Sequence, residues 1–150
     1  MSERCSHDDF RLFHPLRVRW AEVDAQGIVF NPHYFAWADI AMTEYMRAAG
    51  FPYPNGFLQH GADLFAVRSE ADYFASALYD DLLELAARVE YIGRTSLRFL
   101  TGIYRDTQLL TQLRITYVNA APADKRPAAL PGTIVDKILA YERTPPLRKQ

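Results

Sequence analysis

The chain has 150 residues, which is enough for one domain with a sizeable core and too few for two. Hydrophobic residues make up 49% and charged residues 23%, as in an ordinary soluble globular protein. The formal net charge of −1 argues against a nucleic-acid-binding protein, because such proteins carry an excess of Lys and Arg. We therefore expect a single domain over residues 1–150 that has no nucleic acid partner.

The N-terminal residues carry no targeting signal. Residues 1–9 are polar, whereas a secretory signal needs a basic start followed by an apolar run. Cys5 is the only cysteine, so no disulfide forms within the chain, and this is typical of a reducing compartment. We expect residues 1–9 to be flexible and the protein to be cytoplasmic. No segment is both apolar and long enough to insert in a membrane.

A first strand is predicted between Phe10 and Val23. Its clearest part is residues 16–23, where Leu16, Val18, Trp20 and Glu22 alternate with Arg17, Arg19 and Ala21. An acidic turn follows this strand.

A long helix is predicted from the pair Asn31 and Pro32 to Gly50. Asn is a favoured N-cap, Pro is tolerated at the first helical position, and Gly suits a left-handed residue after the last turn. Residues 34–49 are mostly apolar, so polar side chains occupy an arc of only about 140°. A helix this apolar must be enclosed, and a curved sheet is the natural enclosure. The polar arc comprises His33, Asp39, Thr43, Glu44 and Arg47.

Alternation of apolar and polar residues dominates the rest of the chain. Strands are predicted at 64–74, 82–93, 96–105 and 108–119, and a C-terminal helix at 131–143. This order predicts an α+β fold in which a curved, mainly antiparallel, five-stranded sheet wraps one long central helix. The exposed face and edges of such a sheet favour a homo-oligomer, either a dimer or a homotetramer.

Residues 24–37 resemble the active-site segment of the 4-hydroxybenzoyl-CoA thioesterase family. The family pattern is Asp, two residues, Gly, an apolar pair, an aromatic, a variable residue, and an aromatic at the tenth place after the Asp; every position is filled here. The likeness continues weakly through 93–97 and 125–131 and covers about residues 14–140. It takes in the acyl-CoA thioesterases associated with the Tol-Pal cell-envelope system. The resemblance implies a hot-dog fold that hydrolyses an acyl-CoA thioester without a cofactor.

The chemistry of thioester hydrolysis fits this segment. A carboxylate in the turn before a helix can serve as nucleophile or base, and free backbone N–H groups at the helix start can stabilise an oxyanion. The resemblance implies that Asp24 is the nucleophile or general base and that the Asn31 N–H polarises the thioester carbonyl. Gly27 allows a positive φ or a close approach of the ligand. The alternative for Asp24 is a turn residue that only hydrogen-bonds its own backbone.

Further candidates are expected to contact substrate. The residues predicted to contact the acyl thioester are His33, Tyr34, Trp37, Thr95 and Ser96. The phosphates of CoA call for Lys or Arg, and the candidates are Arg94, Lys125 and Arg126, with a solvated basic loop as the alternative.

Other functions are weaker matches. An Asp24 and His33 pair would suit a hydratase or dehydratase, and a hot-dog module that binds acyl-CoA or acyl carrier protein without turnover is a third possibility. Glu44 is expected to form an ion pair with Arg47. No cluster of residues has metal-ligand spacing, and neither a dinucleotide-binding nor a nucleophile-elbow motif occurs.

Overall fold

The computed structural model describes residues 3–149. The strands are β1 (Leu12–Arg17), β2 (Asp63–Tyr73), β3 (Leu82–Ile92), β4 (Ser96–Arg105), β5 (Gln108–Ala120) and β6 (Leu147–Arg148). The helices are α1 (Pro32–Ala49), α2 (Asn55–Leu58) and α3 (Gly132–Tyr141), and single 3-10 turns occupy His7–Asp9 and Trp20–Glu22.

The five longer strands form one antiparallel sheet in the order β1-β3-β4-β5-β2, and β6 adds a short parallel pair to β3. One face of this sheet packs on α1, where Trp37, Tyr45 and Met46 are completely buried. The prediction of an α+β hot-dog fold is confirmed, because the apolar central helix is enclosed by the sheet. The sixth strand was not predicted.

The two ends of α1 differ in how well they match the prediction. Gly50 has the expected left-handed conformation with φ +96°, and its N–H is donated back to the last turn. Asn31 does not act as a capping side chain: its backbone is helical and its amide makes no capping hydrogen bond. The reason is that the N–H groups of His33 and Tyr34 are donated to the carbonyls of Phe30 and Asn31, in a tight turn.

The first strand is shorter than predicted. It ends at Arg17, and the expected strand positions 20–22 form a 3-10 turn in which the Trp20 side chain is 72% exposed. The chain leaves the sheet because the Glu22 carboxylate accepts the Arg19 N–H at 2.8 Å and closes the turn. The alternation of residues 16–23 was therefore wrongly interpreted as strand over its second half.

Residues 3–9 pack against the outer face of the sheet, although residues 1–9 were predicted to be flexible. The Cys5 N–H is donated to the Gln112 side chain at 2.9 Å, and the Gln112 amide is donated to the Glu3 carbonyl at 3.0 Å. Phe10 anchors the segment in a small second core with Leu100 and Tyr104. Residues 1 and 2 lie outside the described residues.

The C-terminal helix is also shorter than the predicted 131–143. It ends at Tyr141 because the next residue, Glu142, turns into extended backbone. The Glu142 carboxylate accepts hydrogen bonds from the Tyr45 hydroxyl at 2.6 Å and from the Val89 N–H at 2.7 Å. Burial raises the pKa of Glu142 despite these hydrogen bonds. This contact fastens the end of α3 to α1 and β3, and the chain then continues into β6.

Candidate functional site

Asp24 lies in a tight turn between β1 and α1. The turn is closed by a 2.9 Å hydrogen bond from the Asp24 N–H to the Ile28 carbonyl and by another from the Gly27 N–H to the Asp24 carbonyl. Gly27 has φ +78°, a conformation that disfavours other residues. One carboxylate oxygen of Asp24 accepts the Gln26 N–H at 2.8 Å. The other oxygen has no hydrogen-bond donor among the described residues. The hydrogen bond that stabilises the turn therefore leaves this second oxygen free to react.

The start of α1 has one N–H group without an acceptor in the described part of the chain. Over residues 29–34, the Val29 N–H is donated to the Ala77 carbonyl at 3.0 Å and the Phe30 N–H to the Glu22 carbonyl at 2.9 Å. The N–H groups of His33 and Tyr34 are donated within the first turn of the helix. Pro32 has no N–H. Only the Asn31 N–H of this stretch has no acceptor among residues 3–149. The helix start therefore offers a single free donor, at the residue that the resemblance indicates.

A cleft of about 270 Å³ opens beside Asn31, at the end of β2. Tyr34 forms part of its wall, and the ring of Tyr34 packs edge-on against Tyr73. The Tyr34 hydroxyl accepts the Ala77 N–H at 3.0 Å, and burial raises its pKa. Asp24 does not line this cleft but lies half-buried at the other end of the same loop. The lining residues are Ile28, Val29, Asn31, Tyr34, Tyr73, Phe74, Ala75 and Ser76.

Trp37 does not face this cleft, although it was predicted to contact substrate. It is completely buried, and its indole N–H is donated to the Glu22 carboxylate at 2.7 Å. Glu22 is only 5% exposed and also pairs with the Arg19 guanidinium at 2.9 Å. Burial by itself would raise the pKa of Glu22, but hydrogen bonds from Arg19 and Trp37 outweigh it and hold the pKa below its usual value. Trp37 therefore does not line the cleft and instead holds the Glu22 side chain in place.

Glu22 connects three parts of the site and was missed as a functional candidate. Its side chain is bonded to α1 through Trp37, its carbonyl holds the Phe30 N–H next to Asn31, and Asp24 follows two residues later. The available signal was a carboxylate on the face of the predicted strand that also carries Leu16 and Val18.

Thr95 and Ser96 lie at the opposite end of the sheet from Asn31. Ser96 and Phe65 are both paired with Val118, whereas Tyr73 in the cleft is paired with Thr111. The separation along β5 is seven residues, or about 24 Å. Within one chain the predicted site residues are therefore divided into two groups.

The cations predicted to bind CoA do not form one cluster. Lys125 lies over the Phe65 ring, 5.7 Å from its centroid, and lines a mainly apolar cavity of about 430 Å³ between β2 and β5. Arg94 lines a different cavity at the end of β3. Arg126 is exposed.

The remaining candidates are simpler. His33 has its ring 6.1 Å from that of Phe30, and no hydrogen bond joins it to Asp24 in the described part of the chain. The ion pair between Glu44 and Arg47 is confirmed. Residues 3–149 contain no group of side chains suited to a metal ion, and none of their helices is long and apolar enough to cross a membrane.

Comparison with known proteins indicates which family has this sequence pattern. The profile of the thioesterase superfamily matches residues 26–112. The chain is 32% identical over 123 residues to the acyl-CoA thioester hydrolase YbgC of Escherichia coli O157:H7, covering 81% of this chain and 90% of that protein. It is 28% identical over 121 residues to the acyl-CoA thioesterase YbgC of Haemophilus influenzae, covering 80% and 88% of the two chains.

Solved structures share the fold. The PA5185 protein from Pseudomonas aeruginosa superposes with a TM-score of 0.77 at 25% identity, covering 91% of this chain and 96% of that chain. Slr0204, a 1,4-dihydroxy-2-naphthoyl-CoA thioesterase from Synechocystis, gives a TM-score of 0.76 at 19% identity, covering 84% and 93%. At that identity the second likeness concerns the fold alone.

Proposed function

Because the chain belongs to the thioesterase superfamily, we propose that it is an acyl-CoA thioesterase that releases a free acid and CoA. The observation that carries the proposal is the free Asn31 N–H at the start of α1, in the same loop as an Asp24 carboxylate with one available oxygen. A cytoplasmic location belongs to the same proposal and is supported by the free thiol of Cys5.

In the proposed mechanism the Asn31 N–H stabilises the oxyanion and Asp24 acts as nucleophile or general base. The Asn31 N–H is donated to the thioester carbonyl oxygen as that oxygen becomes negative, and the positive end of the α1 dipole adds to the stabilisation. The free oxygen of Asp24 either attacks the carbonyl carbon or removes a proton from an attacking water. In both routes the C–S bond breaks, the thiolate leaves and is protonated, and water supplies the second oxygen of the acid.

We further propose that a second copy of the chain completes the site through β2. This strand is at the edge of the sheet, and residues 66–70 are exposed, which leaves backbone groups open to another strand. Antiparallel pairing of two β2 strands about their middle places Tyr73 of one copy near Phe65 of the other. The cleft beside Asn31 then meets the apolar cavity and Lys125 of the second copy. A homotetramer would be a pair of such dimers.

The β2 interface predicts an effect of Glu70→Lys on the oligomeric state. Glu70 pairs with Arg68 at 2.9 Å near the middle of β2, so the substitution brings two cations per copy close to the two-fold axis. We expect a shift toward monomer in sedimentation velocity at low salt, together with lower kcat/KM. Glu44→Lys is the matched control, because it breaks a similar ion pair on the surface of α1. An intact dimer in the Glu70→Lys protein would exclude β2 as the interface.

The test of the proposed activity is thiol release from aromatic and aliphatic acyl-CoAs by the purified protein. We expect turnover with at least one of the two classes. Binding in calorimetry without any thiol release would instead support a non-catalytic acyl-CoA or carrier-protein module. Hydration of an enoyl-CoA without thiol release would support a hydratase.

A further inference from the structure

A cationic cavity of about 300 Å³ lies where β3 ends, and it is formed in part by the C-terminal strand. β6 runs parallel to β3 with Arg148 beside Ile92, and the Lys149 N–H is donated to the Ile92 carbonyl at 3.1 Å. This pairing brings Arg148 and Lys149 next to Arg94, which follows β3 in the chain. The complete lining is Ile92, Gly93, Arg94, Arg148 and Lys149.

No group among residues 3–149 compensates the charges in this cavity. None of the lining residues is acidic, and the side chains of Arg94, Arg148 and Lys149 form no hydrogen bond or ion pair with residues 3–149. Other surface arginines of the chain do have such partners, as Arg17 does in Asp80 and Arg68 in Glu70. Like charges held together repel one another, and an anion that bridges them removes this cost. Arg and Lys are the side chains that bind phosphate groups.

We propose that Arg94, Arg148 and Lys149 bind the 3′-phosphate of CoA, an assignment that rests on the proposed function. This phosphate is the terminal dianion of the molecule and lies far from the thioester. Of these three residues, only Arg94 was predicted from the sequence to contact CoA. Arg148 ends β6 and Lys149 follows it, and no sequence pattern indicated that strand.

The distance to the proposed site is compatible with one CoA molecule. β3 is separated from β2 by two strands, and the partner strand adds one further step. Four strand spacings of about 4.8 Å give about 19 Å from the cavity to the partner's β2, beside which the cleft of Asn31 opens. The long pantetheine arm of CoA is the part of the ligand that spans such a distance. One CoA molecule would thus place its 3′-phosphate in the cavity of one subunit and its thioester in the cleft of the other.

The test compares CoA with 3′-dephospho-CoA in isothermal titration calorimetry. We expect the wild type to bind CoA about 10-fold tighter, and the Arg148→Met/Lys149→Met variant to lose that preference while its affinity for dephospho-CoA stays unchanged. Met keeps an unbranched apolar stem and removes the charge, and β6 is held by its backbone, so thermal unfolding should match the wild type. Arg143→Met is the control, because Arg143 lies in the same C-terminal stretch but outside the cavity.

The outcomes separate this assignment from the proposed activity. Either a preference for CoA that persists in the double variant or a wild type without any preference overturns the assignment, even if thiol is released. Conversely, a preference that the double variant loses, in a protein that releases no thiol, supports the cavity and contradicts the proposed function.

Discussion

Asp24→Asn should lower kcat for thiol release by about 10²–10⁴-fold, the range expected when a base or nucleophile is removed. An amide neither attacks a thioester nor takes a proton from water. The fold should persist, because the amide oxygen of Asn can still accept the Gln26 N–H that Asp24 now accepts at 2.8 Å. The measurement is steady-state thiol release, with circular dichroism to verify folding.

The matched control is Asp124→Asn. Asp124 accepts the Arg126 N–H at 3.0 Å, two residues on, which is the same local contact that Asp24 makes with Gln26. This substitution changes the charge of the protein equally and should leave kcat within about two-fold of the wild type, because the amide oxygen of Asn can still accept the Arg126 N–H and keep the loop in place. Equal rates for wild type and Asp24→Asn would remove Asp24 from the mechanism and leave the fold assignment intact.

Glu22→Gln should lower kcat by about 10–10²-fold with little change in KM, because the loop that carries both proposed catalytic groups loses its anchor. Both carboxylate oxygens of Glu22 accept hydrogen bonds, from Arg19 and from the Trp37 indole. Gln must turn an NH₂ group toward one of these donors, so one buried hydrogen bond is lost. We also expect faster amide hydrogen exchange at Phe30, whose N–H is donated to the Glu22 carbonyl.

Stability provides the second measurement for Glu22→Gln. Leaving a buried donor without an acceptor costs about 1–3 kcal/mol in the free energy of unfolding. Because the folded-state pKa of Glu22 is lowered, its contribution is present above the unfolded pKa and is lost as the pH falls through the folded value. The difference in the free energy of unfolding between Glu22→Gln and the wild type should therefore become smaller at acid pH. A stability loss with unchanged kcat and unchanged exchange at Phe30 would restrict Glu22 to a role in folding.

The central helix was predictable because its signals are local. Pro32 and Gly50 mark its ends, and the apolar residues between them require enclosure whatever the rest of the chain does. The structure buries Trp37, Tyr45 and Met46 accordingly. The positive φ of Gly27 was also predictable, since the conformation of this turn depends on neighbouring residues only.

The arrangement of the site depends on long-range pairing, which local patterns do not specify. Strand register decides that Ser96 is level with Phe65 and far from Tyr73, and no residue near Ser96 signals this. β6 has only two residues, too few for a periodic pattern, yet it places Arg148 beside Arg94. Glu22 fits one more position of the strand pattern, whereas its contact with Trp37, fifteen residues away, depends on how α1 packs.

The most direct test of the proposed site is a crystal structure of the Asp24→Asn variant with a bound acyl-CoA. We predict that the thioester carbonyl oxygen accepts the Asn31 N–H at about 2.7–3.1 Å, with residue 24 next to the carbonyl carbon and the acyl group in the cleft lined by Tyr34 and Tyr73. A thioester bound elsewhere, with the Asn31 N–H donated to another acceptor, would contradict the proposed site.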